Sequence, residues 1–330
     1  MRIRNIVVVL VVLLIIFVSI SFANTEEQIE PIQKVEKYNY PSKPITLVVP
    51  YAAGGGTDLF ARAVAGVAGQ YFDVPVRVVV MPGEGAARGT RYVVESEPDG
   101  YTLCFNSGGA YIATPHVVDA GYMPRDLVGI ARAGVAPYVL IISPSLGVET
   151  FEEFIEWGKA NPGFPVGTSG VGSLSHLGCV LFFEEIGLEP NIIVHEGAAE
   201  SVMAVAGGHV KADVTTIGSG LSAIKSGSVI PLVLLDEERS FDIPDVPISS
   251  ELGLDFTWVT PRGLLAPKDV PEEILDYLDA VFEQVINDDS YKALAAKLGE
   301  PARHQNRHDF TEYFYNMSDE IEKVVERLFK

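Results

Sequence analysis

The sequence predicts an α/β fold of layered helices and mostly parallel sheets, arranged as two domains around a cleft. Three observations predict it. Short runs rich in β-branched residues alternate with helix-like stretches along 330 residues, the pattern of strands buried on both faces between covering helices. A strand–glycine–helix theme occurs twice, at PYAAGGGTD (50–58) and GTSGVGSLSH (167–176). Ligands in open α/β sheets bind past the carboxyl ends of strands, so two such ends facing each other would form an inter-domain cleft. The length suffices for two domains, and 48% hydrophobic residues supply a core.

Taken in order, the strand-like runs are ITLVVP (45–50), VRVVVM (76–81), YTLCFN (101–106), YVLIIS (138–143), FPVGTS (164–169), IIVHE (192–196), DVTTIG (213–218) and VIPLVLL (229–235). Helix-like stretches lie between them at 58–71, 89–96, 150–160, 173–186, 199–207 and 220–226. Two longer amphipathic helices are expected at 271–285 and 309–328. Thr57 or Asp58 opens the first helix. Thr150 is an N-cap with Glu153 as its capping-box partner, and Asn161-Pro162 ends that helix. Ser173 is a natural N-cap that puts His176 in the first turn.

The glycine hinge Gly54-Gly55-Gly56 between a strand and a helix start admits two readings. It is an ordinary capped βα turn, or it aims unpaired N–H groups and the positive end of a helix dipole at an anion. The second theme, through Ser169, Gly170, Gly172 and Ser173, admits the same pair. Asn106-Ser107-Gly108-Gly109-Ala110 and Thr215-Thr216-Ile217-Gly218-Ser219-Gly220 also end strands with small polar groups. Each alone is a turn; four in one chain point to a site.

Several function classes are disfavoured. Net charge is −20 at pH 7 and no basic patch is interleaved with aromatics, which argues against nucleic acid. Met81 to Gly89 half-matches a dinucleotide fingerprint, but Arg88 stands where the third glycine belongs, and there is no P-loop. Ser173 and His176 invite a hydrolase reading, but neither Ser169 nor Ser219 sits in a nucleophile elbow and no third group is identifiable. Cys104 and Cys179 sit in apolar runs and read as buried free thiols, with a disulfide, which export would permit, as the alternative; no His/Cys spacing suggests zinc.

Residues 1–23 read as a signal peptide: Arg2 and Arg4, an apolar run from Ile6 to Ile20, and small residues at Ser21 and Ala23 for cleavage after Ala23. An uncleaved anchor is the alternative. Losing the two arginines takes the net charge to −22. Residues 24–43 read as a flexible leader.

The segments at 41–62, 81–89 (MPGEGAARG), 97–103 (EPDGYTL), 169–177 (SGVGSLSHL), 242–253 (DIPDVPISSELG) and 264–274 (LLAPKDVPEEI) fall in an order that resembles the tripartite tricarboxylate transporter substrate-binding proteins, the Bug or TctC family. The resemblance implies a type II periplasmic-binding-protein-like fold with two crossover strands, lobe I being 44–136 plus 260–330 and lobe II 137–259. It implies a monomeric periplasmic receptor, without cofactor or catalysis, that closes on a small carboxylate: a di- or tricarboxylate, an aromatic acid or an acidic amino acid. The partner would be a membrane permease of one large and one small subunit. Carried over by position, contacts in the first lobe would be Tyr51, Ala52, Ala53, Thr57, Asp58, Ser107 and Gly108. Those in the second would be Ser169, Gly170, Gly172, Ser173, His176, His195, Glu196, Gly197 and Thr216. The chain departs from the family pattern in two places: at Met81 to Ala86, where the family has an R-P-G-A-G-G-like run, and at Ile193 to Gly197, where Glu196 replaces a cation, so the expected ligand carries fewer carboxylates than citrate or also an amino group. An exported α/β hydrolase and a sensory receptor are the competing readings.

Overall fold

The computed structural model of the protein describes residues 32–329. The expected signal peptide and residues 24–31 of the leader lie outside them. Within the leader, Val35 bridges Tyr40, and the buried Tyr40 donates its hydroxyl to the Gly100 carbonyl at 2.7 Å. Its ring lies 4.8 Å from that of Tyr101 and 5.8 Å from that of Tyr277. An aromatic anchor outweighs the polar composition around it.

Ten strands form one continuous mixed sheet in two halves. In the first half, β1 (Ile45–Val49) pairs in parallel with β2 (Val76–Val80) and β3 (Thr102–Ser107). Helices α1 (Gly56–Ala68) and α2 (Ala87–Val94) connect them. In the second half, β5 (Pro165–Ser169) pairs in parallel with β6 (Asn191–His195) and β7 (Ala212–Thr216). Here the helices are α3 (Phe151–Ala160), α4 (Leu174–Glu185), α5 (Ala198–Ala206) and α6 (Ile217–Lys225).

One strand, β4 (Leu127–Ile142), runs through both halves. From Leu127 to Pro137 it pairs antiparallel with β9 (Val259–Pro267), which continues to β3. From Tyr138 to Ile142 it pairs antiparallel with β7, and Val139 to Ile142 pair with β8 (Ile230–Leu234). The switch falls between two adjacent residues, Pro137 and Tyr138. Helices α7 (Glu272–Asn287) and α8 (Asp289–Lys297), strand β10 (Ala302–Gln305) and helix α9 (Arg307–Phe329) close the chain against the first half.

The elements follow from the residues. Helix α9 buries Phe310, Phe314, Met317, Ile321 and Val324 at helical spacing, and Phe314 meets Tyr111 edge-on at 5.3 Å. Thr150 accepts from Glu153 N–H at 3.2 Å while Glu153 accepts from Thr150 N–H at 3.3 Å, the expected capping box. In α4, Leu177, Cys179, Phe182 and Phe183 are buried, and Gly178 leaves room for the Trp258 indole, whose N–H donates to the Leu174 carbonyl at 2.8 Å. Trp258 thus pins the first turn of α4. Cys104 and Cys179 are buried free thiols, both pushed far up by burial.

Candidate functional site

Pro137 and Tyr138 are successive on β4, so their side chains leave opposite faces of the sheet. Each lines a different cavity. Tyr138 stands in a cleft of about 550 Å3, open solvent at its mouth included, lined also by Ser107, Gly109, Ser169, Gly170, Ser173, Leu174, Ser175, Glu196, Gly197 and Thr260. The carboxyl ends of β3, β5 and β6 and the beginnings of α4 and α5 converge there.

Six of the eleven lining residues carry a hydroxyl. The buried Tyr138 hydroxyl lies 3.3 Å from Ser175 Oγ and 3.2 Å from Thr260 Oγ1, tying β4, β9 and α4 together. Burial raises this phenol and the two hydroxyls pull it back only in part. Ser173 caps α4 by accepting from His176 N–H at 3.2 Å, and its own hydroxyl donates to the Ser169 carbonyl at 2.5 Å. That locks the β5–α4 loop and leaves the first N–H groups of α4, on Leu174 and Ser175, without intrahelical partners. No acid occupies the first turn of α4.

Six of the expected contacts line this cleft: Ser107, Ser169, Gly170, Ser173, Glu196 and Gly197. Tyr51 is adjacent, with its phenol against Ser107; burial pushes it up to about 12 although Arg262 and Ser107 act in the other direction. The remaining residues lie outside the lining. Ala52 and Ala53 are exposed in the turn before α1. Neither Thr57 nor Asp58 caps α1; the N-cap is Gly55 and the helix starts at Gly56. The reason is that both side chains are engaged. Thr57 Oγ1 accepts from Arg262 at 2.9 Å, and buried Asp58 accepts from Gly54 N–H at 2.8 Å and from Arg62 Nε at 3.0 Å. Burial alone would raise the Asp58 carboxyl, but Arg62 and the Gly54 N–H hold it below its ordinary value.

Gly108 lies against Pro261. Gly172 has φ +71° and touches Val117, so both its conformation and its close contact require glycine. His176 turns inward: its Nδ1 accepts from Gly172 N–H at 3.1 Å, its ring faces that of Phe329 at 6.0 Å, and burial lowers its pKa. His195 Nδ1 lies 3.6 Å from Glu200 Oε1. Thr216 caps α6, accepting from Ser219 N–H at 3.4 Å. The lining residues that sequence reasoning missed, Tyr138, Thr260, Ser175 and Leu174, come from the strands and helix start at the crossing, whereas Gly109 belongs to the expected strand end at 106–110. A tyrosine heading the otherwise aliphatic run 138–142 was the one available signal.

The other cavity, about 690 Å3 with open solvent included, is lined by Pro137, Ile217, Phe241, Pro301 and a set of ion partners. Those charges are already paired: Asp236 with Arg303, Glu300 with Arg262, and Asp242 with Lys225. The hydroxyl-lined cleft, with uncommitted donors, is the better ligand site.

A sequence profile described as tripartite tricarboxylate transporter family receptor matches residues 60–328. Protein BugT of Bordetella pertussis is 33% identical over 249 residues, 73% of this chain and 75% of that protein. A TctC solute-binding protein from Polaromonas, solved without ligand, superposes with a TM-score of 0.81 at 27% identity, covering 88% of this chain and all of the other. MatC of Rhodopseudomonas palustris, solved with bound malate, shares the fold at a TM-score of 0.65 and 24% identity, over 87% of this chain and all of MatC.

Proposed function

The chain belongs to the tripartite tricarboxylate transporter receptor family, and from that premise we propose that it is an extracytoplasmic receptor that captures a small carboxylate in the hydroxyl-lined cleft. The observation that carries the reading is the start of α4. It presents unpaired N–H groups and an uncompensated helix dipole to a cleft whose walls come from both halves of the sheet. Backbone donors and neutral hydroxyls can hold a carboxylate although the chain carries a net −20, because hydrogen bonds to an ion are strengthened when closure excludes water.

The lobes we propose are 44–136 plus 260–330 and 137–259, with β4 and the approach to β9 as the crossings. Closure of one on the other would enclose the ligand. Export by the 1–23 segment would place the protein in the periplasm, where it would deliver the ligand to a membrane permease of the family type. A hydrolytic role finds no support at Ser173 and His176. The Ser173 hydroxyl is given to the Ser169 carbonyl and the imidazole to the Gly172 N–H, so neither is poised toward the other.

The test is a thermal-shift screen of the mature protein against mono-, di- and tricarboxylates, malate included, with amino acids and neutral sugars. A ligand at 100 times its Kd stabilises by about 2.7 kcal/mol, a shift of a few degrees in Tm. Stabilisation by carboxylates without product formation supports the reading. Stabilisation by sugars alone, or turnover of the bound compound, contradicts it.

A further inference from the structure

The cleft has room in its charge arrangement for one ligand carboxylate. Among the side chains that line it, Glu196 is the one that carries a formal charge, and that charge is negative. Among the described residues no cation pairs with it, while its neighbour Glu200 takes the contact with His195.

The helix starts around the site differ in the same sense. Helix α5 begins at the cleft, but Glu200 stands in its first turn, and that carboxylate already accepts from the Glu196 N–H at 3.2 Å. Helix α1 is compensated likewise by Asp58, which takes the Gly54 N–H. A carboxylate at a helix N-terminus offsets the dipole that would otherwise attract an anion. Helix α4, capped by a neutral serine and free of acids in its first turn, keeps its dipole. The cleft therefore has one anion-attracting end at Leu174 and Ser175 and one anion-repelling wall at Glu196.

Resting on the carboxylate-receptor reading, we propose that the ligand is a monocarboxylate carrying a cationic nitrogen, with its carboxylate at the start of α4 and its ammonium facing Glu196. A dicarboxylate would bring its second charge against an unpaired carboxylate and a helix start that Glu200 already neutralises. An ammonium gains a charge-assisted partner at the same place. Glu196 thus selects as much by repelling one class as by attracting the other.

The probes are ω-amino monocarboxylates from 3-aminopropanoate to 6-aminohexanoate, α-amino acids, and the dicarboxylates of matching length, titrated calorimetrically into the mature protein and into Glu196→Gln and Glu196→Lys variants. Glu196 is exposed, so both variants should fold, which circular dichroism verifies. The wild type should bind an amino carboxylate more tightly than its dicarboxylate counterpart. Glu196→Gln should weaken that binding about tenfold, the scale of one charge-assisted contact, and Glu196→Lys should invert the preference toward the dicarboxylate. A wild type that binds the dicarboxylate at least as tightly, or a preference that survives Glu196→Gln, overturns the inference and leaves the receptor reading standing. Binding of no carboxylate in the panel overturns both.

Discussion

Asp213, on β7, is 1% exposed and lies opposite Gly167 of β5 and Ile141 of β4. Burial pushes its carboxyl from an ordinary 3.8 up to about 7; the Ser201 hydroxyl on α5 and the Val214 N–H offset part of that. The shift makes stability depend on pH in a definite direction. Between 3.8 and about 7 the folded protein holds a proton at Asp213 that the unfolded chain has released, so rising pH favours unfolding. The slope reaches about 1.4 kcal/mol per pH unit within that window and vanishes outside it. Asp213→Asn removes the proton while keeping the shape. The difference in unfolding free energy, variant minus wild type, should therefore grow as pH rises from 4 to 7 and level off above. Urea denaturation at pH 4, 5, 6, 7 and 8 measures it. Asp279 is also raised, to about 6, and burial lowers His176 and His304, but these groups are common to both proteins and cancel in the difference. A difference that stays flat across the series would refute the account of Asp213 as a carboxyl held neutral by burial.

Three further outcomes follow from the packing. Asp236→Asn leaves Arg303 short of a bidentate partner at 2.5 and 3.0 Å in a pair 3% and 15% exposed; with Glu238 still 3.4 Å away, the loss should be about 3 kcal/mol by urea denaturation, and a loss within 0.5 kcal/mol, the ordinary range for surface changes, would show the pair to be idle. Gly178→Ala places a methyl 2.1 Å from the Trp258 indole nitrogen; it should cost about 1–3 kcal/mol and shift Trp fluorescence, and an unchanged midpoint would contradict the contact. Ser173→Ala removes the cap of α4 and the tie to Ser169; stability should fall by about 1 kcal/mol and carboxylate affinity with it, whereas affinity unchanged in a folded variant would detach the β5–α4 loop from binding.

The parallel halves of the sheet were legible because their strands are short runs that lead into glycine-containing turns and helix starts, as at 45–49 before Gly54-Gly55-Gly56 and 165–169 before Gly170 and Gly172. The crossing strands were not. Residues 127–137 and β9 are broken in sequence by Gly129, Gly134, Pro137, Pro261 and Gly263, which read as turn residues. In the fold those glycines are close-packing positions: a Cβ on Gly263 would meet the Phe310 ring at 2.4 Å, and one on Gly129 would meet it at 2.7 Å. Long-range packing against α9 sets the strand there, and no local pattern records it. The same gap explains the site. The loop residues Ser107, Ser169 and Ser173 were found through strand–helix turns, whereas Tyr138 and Thr260 lie on the crossing strands. Asp58 and His176 each accept from a backbone N–H of their own loop, which spacing alone does not reveal.

The most direct test of the central claim is a crystal structure of the protein with the carboxylate that gives the largest thermal shift. A carboxylate oxygen should lie about 3 Å from the N–H groups of Leu174 and Ser175, within reach of the Tyr138, Ser107 and Thr260 hydroxyls. A ligand seated instead among Asp236, Arg303 and Phe241, or at the start of α1, would contradict it.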